Sequence, residues 1–389
     1  MNQRHAQILC TPRLTWKNSM SCKLYSRSIC HIWMCQETTI TMIKKSLKSI
    51  SWDVPEDVYR QDDALSYSTL AKYERSGFNG LATLFDRVES PSLTFGSMVD
   101  EMITGSIESF NERFLVAEYP QTPDSIIQIV KKVFEQEHDI SDTLYAVPDT
   151  TIIRIASEFN YQNNWKPETR AKVIKEKGAE YYNLLYISTS KTIVTSQDYQ
   201  DACNAVQALR GSEATHWYFE EDNPFSNIER LYQLKFKATL RGINFRCMAD
   251  LIIVDHYAKL IQPCDLKTSG KPEWDFFKSF IDWDYQIQAR LYWRIIKDCI
   301  SKDPYFKDFT LMPYKFIVVN RKTLTPLVWQ FEDTDKEGPL TYGKQSQIVL
   351  RDPFEIANEL HTYLEYKCDT PIGIFTNEHN SLEHWLNTM

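Results

Sequence analysis

The chain is predicted to adopt an α/β fold in which a mixed central sheet is flanked by helices. Three observations predict it. Runs rich in β-branched and aromatic residues cluster mid-chain, over 215–219, 231–240, 245–254 and 260–268. Segments with apolar residues at helical spacing lie before and after them. Two more apolar runs, 314–319 and 327–331, read as a hairpin beyond those strands.

Each element has a local cause. Residues 64–110 read as helices, including one over 95–103 that Gly96 opens, the missing side chain allowing close backbone approach. A helix starts near Thr122 and Asp124 and runs to Glu137, and residues 139–170 are polar enough for loops and short helices. Residues 172–185 are helical in pattern. Thr195-Ser196-Gln197-Asp198 is a capping-box-like start for a helix through Val206 and Leu209 that Gly211 ends. After the central strands, a helix over 283–297 takes Asp282 or Asp284 as its N-cap, and a last helix covers 353–366.

The chemistry concentrates in two of the strands. Asp250 lies inside Met248-Ala249-Asp250-Leu251-Ile252-Ile253, where a charge is costly unless paired or bound to metal. Asp265 and Lys267 are two apart on the next strand and project together, while Leu266 points into the opposite layer. His256-Tyr257-Ala258-Lys259 forms the turn between them, which leaves His256 exposed. Register decides whether the three side chains meet. Pairing Asp255 with Leu260 sets Asp250 opposite Asp265, whereas pairing Val254 with Leu260 sets it opposite Cys264 and separates them. A bulge at Pro263, which cannot donate to a ladder, is a second route to the first arrangement. Carboxylate oxygens suit Mg²⁺, and a lysine beside them can orient or deprotonate a bound water. Such a set can hydrolyse phosphodiesters.

Asp/Glu-x-Lys is a weak signal alone. Glu365-Tyr366-Lys367 repeats it in a helical pattern, where residues two apart diverge, so those charges read as solvated. Asp265 differs in what surrounds it. Gln288 and Tyr292, four apart, share one face of the following helix, and Asp100, with Glu101 beside it, lies in the Gly96 helix. Glu229 is a further carboxylate within reach of the strands, more simply read as a surface charge.

In this order, Gly96-Ser97-Met98-Val99-Asp100, Ala249-Asp250, Asp265-Leu266-Lys267 and Gln288-Ala289-Arg290-Leu291-Tyr292 resemble the motifs of RecB-like PD-(D/E)XK nucleases. The resemblance covers about residues 64–330 and is greatest to phage exonucleases of the RecE type, with mitochondrial exonucleases as second relatives. Leu65-Ser66-Tyr67-Ser68-Thr69-Leu70 is similar to the serine-rich segment that opens many such modules. Asp100 stands where the family has histidine.

This resemblance implies a restriction-endonuclease-like core and a metal-dependent DNA nuclease, an exonuclease of recombination, replication or repair. It implies Asp250, Asp265 and Lys267 as catalytic residues. Mg²⁺, or Mn²⁺, would be held by Asp100, Asp250, Asp265 and the Leu266 carbonyl. Gln288 and Tyr292 would position the lysine, the metal ligands or the DNA backbone. A single-strand annealing or recombination protein is a further partner it implies. The alternatives are a structure-specific endonuclease and, given the missing histidine, a catalytically silent DNA-binding recombination protein on the same fold. Relatives with an iron–sulfur cluster use three clustered late cysteines; Cys368 has no such neighbours, so no cluster is expected.

Composition sets outer bounds. A chain of 389 residues has room for a substantial core, and 43% hydrophobic with 25% charged residues is ordinary for a soluble globular protein. No apolar run approaches a membrane span and no secretory signal is visible, so no membrane partner and a cytoplasmic location are expected. A net charge of −8 argues against nonspecific coating of nucleic acid, though a locally basic track suffices for DNA. Its candidates are Lys235, Lys237, Arg241 and Arg246 before Asp250, and Lys267, Lys271 and Lys278 after it.

The first 50 residues carry net +7, which leaves −15 for the rest. They also hold Cys10, Cys22, Cys30 and Cys35, whose spacing fits no zinc module. Residues 1–41 read as a basic extension, disordered or upstream of a start at Met42, or else as a mitochondrial transit peptide. Residues 42–389 then form a single nuclease domain, with a helical part at 64–211 and the catalytic sheet at 215–331.

Overall fold

A computed structural model describes residues 44–365, apart from 87–89, 119–121, 189–190, 222, 224–225 and 344–347. The expectations for residues 1–41, Lys367 and Cys368 lie outside the described residues. The described residues belong to one compact unit.

Helices α1 (Glu56–Gln61), α2 (Tyr67–Ser76), α3 (Pro91–Thr104) and α4 (Ile107–Arg113) come first. Strand β1 (Phe114–Val116) precedes α5 (Asp124–Glu137), α6 (Asp149–Glu158) and α7 (Pro167–Ser188), after which β2 (Thr192–Val194) pairs with β1 in parallel. Helix α8 (Ser196–Gly211) leads to β3 (Ile228–Leu240), β4 (Ile243–Asp255) and β5 (Leu260–Ser269). Helices α9 (Phe276–Asp282) and α10 (Tyr285–Ser301) follow, then β6 (Thr310–Leu311), β7 (Lys315–Asn320) and β8 (Leu327–Gln330). A small hairpin of β9 (Leu340–Tyr342) and β10 (Ile348–Leu350) precedes α11 (Pro353–Glu365).

The main sheet has six strands in the order β3-β4-β5-β7-β8, with β6 also on β5. β3, β4 and β5 are antiparallel, β7 lies parallel to β5, and β8 returns antiparallel. A parallel neighbour requires a crossover, which α9 and α10 provide. On one face Phe236, Ile252 and Phe316 pack with Leu70 of α2, Leu291 and Ile295 of α10 and Leu360 of α11. On the other, Leu251, Ile253 and Ile317 pack with Met98 and Val99 of α3 and Leu209 of α8. The fold is thus the expected α/β class, a mixed sheet flanked by helices.

The region read as one helical part, 64–211, divides by packing. α2 joins one face of the sheet, α3 and α8 the other, and α5 to α7 build a separate core around Ile129, Val130, Ile155, Ile174 and Tyr182. Residues 215–219 are not a strand. They extend α8 as a 3₁₀ turn, His216–Phe219, because Thr215 Oγ1 donates to the Leu209 carbonyl (2.6 Å) and His216 N to the Ser212 carbonyl (2.8 Å). Such local bonds override strand composition over so few residues.

The β4–β5 turn corrects two more expectations. Asp255 Oδ1 accepts from Tyr257 N (3.0 Å) and Ala258 N (2.9 Å), so the turn begins there. His256 is buried rather than exposed, its ring between Tyr305 Oη and Glu229 Oε2, each 3.2 Å away. Glu229, opposite Val254, is engaged there and joins no carboxylate near Asp250. The ladder passes Pro263, opposite Ile252, without a bulge.

Gly178 marks the tightest contact of the α5–α7 core. A Cβ there would lie 2.5 Å from Val130 Cγ2 and 3.2 Å from Leu144 Cδ2. In an open helix Gly→Ala stabilises by about 1 kcal/mol. Here overpacking prevails, and Gly178→Ala is expected to lower the unfolding free energy by about 1–3 kcal/mol in urea titration. A stabilised variant would contradict the packing described.

Candidate active site

β4 and β5 pair with Asp255 opposite Leu260 and Leu251 opposite Cys264. The next positions in that register are Asp250 and Asp265, where the β4–β5 ladder ends and β5 continues beside β7. Asp250 closes the gap with its side chain: Oδ2 accepts the Leu266 N–H at 2.9 Å. The register that brings the two aspartates together is the one present.

Asp265 is only 1% exposed. Its Oδ1 accepts from Gln288 Nε2, and the Lys267 ammonium lies 2.5 Å from Oδ2. That buried oxygen has the ammonium as its partner, in a close ion pair. Lys267 also sits 4.7 Å from the centre of the Tyr285 ring. Burial opposes its charge, but Asp265, Tyr285, Asp250 and Tyr67 together outweigh this and hold its pKa well above the usual lysine range.

The third carboxylate arrives from the other face of the sheet. Gly96 sits inside α3 rather than opening it, since Ser90 caps the helix by accepting Leu93 N at 3.2 Å and Pro91 follows. A Cβ on Gly96 would meet Thr268 Oγ1 at 3.1 Å, so the glycine does serve a close approach, that of α3 to β5. One turn later Asp100 faces Gln233, whose Nε2 donates to Asp100 Oδ1 (3.0 Å) and Oδ2 (2.8 Å) and lies 3.5 Å from Asp250 Oδ1. Glu101 turns away, accepting from Ser109 Oγ and pairing with Arg113. Burial first, then Asp265, pushes Asp100 up to about 7. Asp250 is held well above the carboxylate range by burial, then Asp265 and Asp100.

Gln233 carries no local sequence signal, and only its place opposite Asp250 points to it. Tyr232 pairs with Leu251 and Leu234 with Ala249, but the position between is skipped, and Gln233 has a φ of 53°. Side-chain alternation breaks here in both strands. Leu231 and Ile252 pack on the same face as Leu234, Phe236, Cys247 and Ala249, while Tyr232 and Leu251 join the opposite one. This interruption lets Asp250 stand near both Asp100, on the α3 side, and Asp265, under α10.

The remaining expected residues are placed as follows. Gln288 and Tyr292 are 4% and 7% exposed, so both lie beneath the carboxylates rather than on a surface open to DNA. Gln288 holds Asp265, and Tyr292 packs edge-on against Tyr314 with ring centres 6.3 Å apart. Asp284 occupies the α10 N-cap position, but its carboxylate pairs with Arg75 instead of a helix N–H. In the serine-rich segment, Tyr67 donates to the Trp283 carbonyl and its ring borders Tyr285, next to Lys267. Glu365 ends α11, exposed and far from any such cluster in sequence.

Most of the expected basic track is engaged. Lys235 donates to the Val54 carbonyl, Lys237 pairs with Asp62, Arg241 with Glu337, Lys271 with Asp282 and Lys278 with Asp275. Arg246 is buried over the Tyr59 ring with Nε and Nη1 unpartnered.

The donor set fits a hard divalent cation. Asp100, Asp250 and Asp265 are oxygen ligands, and burial with mutual repulsion disfavours the charged forms of Asp100 and Asp250, a cost that a cation would relieve. Among the described residues, no three His, Cys, Asp or Glu side chains are gathered tightly enough to hold an ion as they stand. The Gln233 amide and the Lys267 ammonium lie between these carboxylates, so binding requires them to draw together.

No family model and no curated protein matches the chain. A provisionally assigned exonuclease from Eubacterium rectale is similar in structure at 13% identity and a TM-score of 0.36, over 80% of this chain and 81% of that one. Among the described residues no helix is long and apolar enough to cross a membrane.

The crowding has a measurable consequence. Asp250→Asn removes a desolvated charge while keeping an acceptor for the Leu266 N–H. In EDTA its unfolding free energy should equal or exceed that of the unaltered chain by about 1 kcal/mol, the usual direction when a functional carboxylate is neutralised. A loss larger than about 1 kcal/mol in urea titration would show that the charge is satisfied, not crowded.

Proposed function

We propose that this chain is a metal-dependent nuclease of the PD-(D/E)XK type that degrades DNA from its ends. The observation that carries the reading is the meeting of Asp250, Asp265 and Lys267, from two strands, with Asp100 from α3 and Gln288 from α10. Asp250, Asp265 and the Leu266 carbonyl hold Mg²⁺ or Mn²⁺ in this reading, and Asp100 is a further ligand. When bound, the metal supplies charge stabilisation at the phosphate and the leaving 3′-oxygen, and lowers the pKa of water.

The chain's own groups do the rest. Lys267, braced by Asp265 and the Tyr285 ring, orients the attacking water with its ammonium. Gln288 fixes the rotamer of Asp265, and the Leu266 N–H fixes that of Asp250. Exposed pairs such as Lys278 with Asp275 are worth little and open readily, which frees their lysines for phosphates. We assign the activity to DNA recombination, replication or repair in the cytoplasm, with a single-strand annealing or recombination protein as partner. A catalytically silent DNA-binding protein is the second reading, favoured by carboxylates that are not gathered at ligand spacing.

End-labelled linear and closed circular DNA, incubated with Mg²⁺, Mn²⁺ or EDTA, separate these readings. Linear DNA is expected to be degraded in either metal and not in EDTA, while circles stay intact. Lys267→Ala and Asp265→Ala are each expected to lower the rate by about 100-fold or more with unchanged circular dichroism. Full activity in either purified variant would refute the assignment, cut circles would favour an endonuclease, and binding without cleavage would favour the silent protein.

A further inference from the structure

Gln233 stands in the middle of the thirteen-residue strand β3 with its backbone in the left-handed region, at φ 53°. Residues with a side chain are strained there, whereas glycine is not. The strain is accompanied by a lost pair, since the ladder skips from Tyr232↔Leu251 to Leu234↔Ala249. Strand geometry thus gains nothing from glutamine at this position, and its carboxamide is what distinguishes it.

The nitrogen of that carboxamide is engaged by both neighbouring carboxylates. Its Nε2 spans both oxygens of Asp100, at 3.0 and 2.8 Å, and lies 3.5 Å from Asp250 Oδ1. Among the described residues, no other hydrogen-bond donor reaches the Asp100 carboxylate. Arg113, the cation that most favours its charged form, is paired with Glu101. Each carboxylate oxygen has a second lone-pair direction, so an amide on both still leaves Asp100 able to ligate.

We propose that Gln233 is a positioning residue for a divalent cation: its amide fixes Asp100, carried by α3, against the Asp250–Asp265 pair, and the affinity for the ion depends on it. This rests on the reading of those carboxylates as a metal centre. The strain in β3 then has a cause, because an extended residue would not have its side chain between a strand carboxylate and one from the helix above. Hydrogen-bond partners that orient a metal's ligands change metal affinity 10- to 100-fold when removed.

Mn²⁺ titration calorimetry on the chelator-stripped full-length chain tests this. Gln233→Ala and Gln233→Gly are each expected to weaken Mn²⁺ binding by about 10- to 100-fold. Gln233→Gly should also melt above Gln233→Ala, because glycine relieves the backbone. In an Asp100→Ala background, Gln233→Ala should add no further loss, since the amide has nothing left to hold. A purely structural role predicts instead that the glycine variant recovers affinity along with stability, or that the Gln233 and Asp100 effects multiply; either result overturns the proposal. Unchanged or tighter binding in Gln233→Ala overturns it too, and tighter binding would mean that the amide competes with the ion. If the unaltered chain takes up no Mn²⁺, this inference and the metal-centre reading fall together. Uptake that is indifferent to Gln233 removes this inference alone.

Discussion

The candidate site depends on the pairing of β4 with β5, with Asp255 opposite Leu260. Side chains alternate along a strand, so moving that pairing by one residue would turn Asp265 and Lys267 away from Asp250. The turn guards against such a slip. Asp255 Oδ1 binds two successive backbone N–H groups, Lys259 adopts a φ of 53°, and His256 is pinned to Glu229 across the strand. Beyond Leu251 the ladder stops, and the Asp250 carboxylate takes over by accepting the Leu266 N–H.

Three carboxylates brought this close create a problem that the surrounding residues only partly solve. Burial and mutual repulsion raise Asp100 to about 7 and Asp250 well above the ordinary range. Two amides, Gln233 and Gln288, one backbone N–H and one ammonium are set against them. Buried polar networks that are incompletely satisfied destabilise a fold, and they persist where function needs them.

The helix that carries Gln288 is held from its other side as well. Arg290, fully buried, donates to Asp352 Oδ2 at 2.8 Å and to the Lys336 carbonyl at 2.9 Å, and Arg294 pairs with Asp352 Oδ1 at 2.9 Å. A buried acid shared by two arginines adds little net stability against an apolar packing, but removing one partner is severe. Its effect is to clamp α10 between the β9–β10 hairpin region and the sheet, with Gln288 directed at Asp265.

The residues themselves determined the strands, the helices around them, the Asp265–Lys267 pair and the turn that aligns Asp250 with it, because periodicity, turn chemistry and polar residues in apolar runs are local signals. They did not reveal Gln233, since nothing in Leu231-Tyr232-Gln233-Leu234 announces a left-handed residue without glycine. His256 was hidden by its partner Glu229 on another strand, and 215–219 by a hydroxyl bond back to Leu209. Asp100 was legible as a carboxylate at the right turn of a helix, but which of Asp100 and Glu101 faces the sheet was settled by tertiary contacts. Gln233 holds the first, and Arg113 and Ser109 draw the second away. A side chain's partner across the sheet or from a distant helix is a property of packing, and spacing along the chain does not encode it.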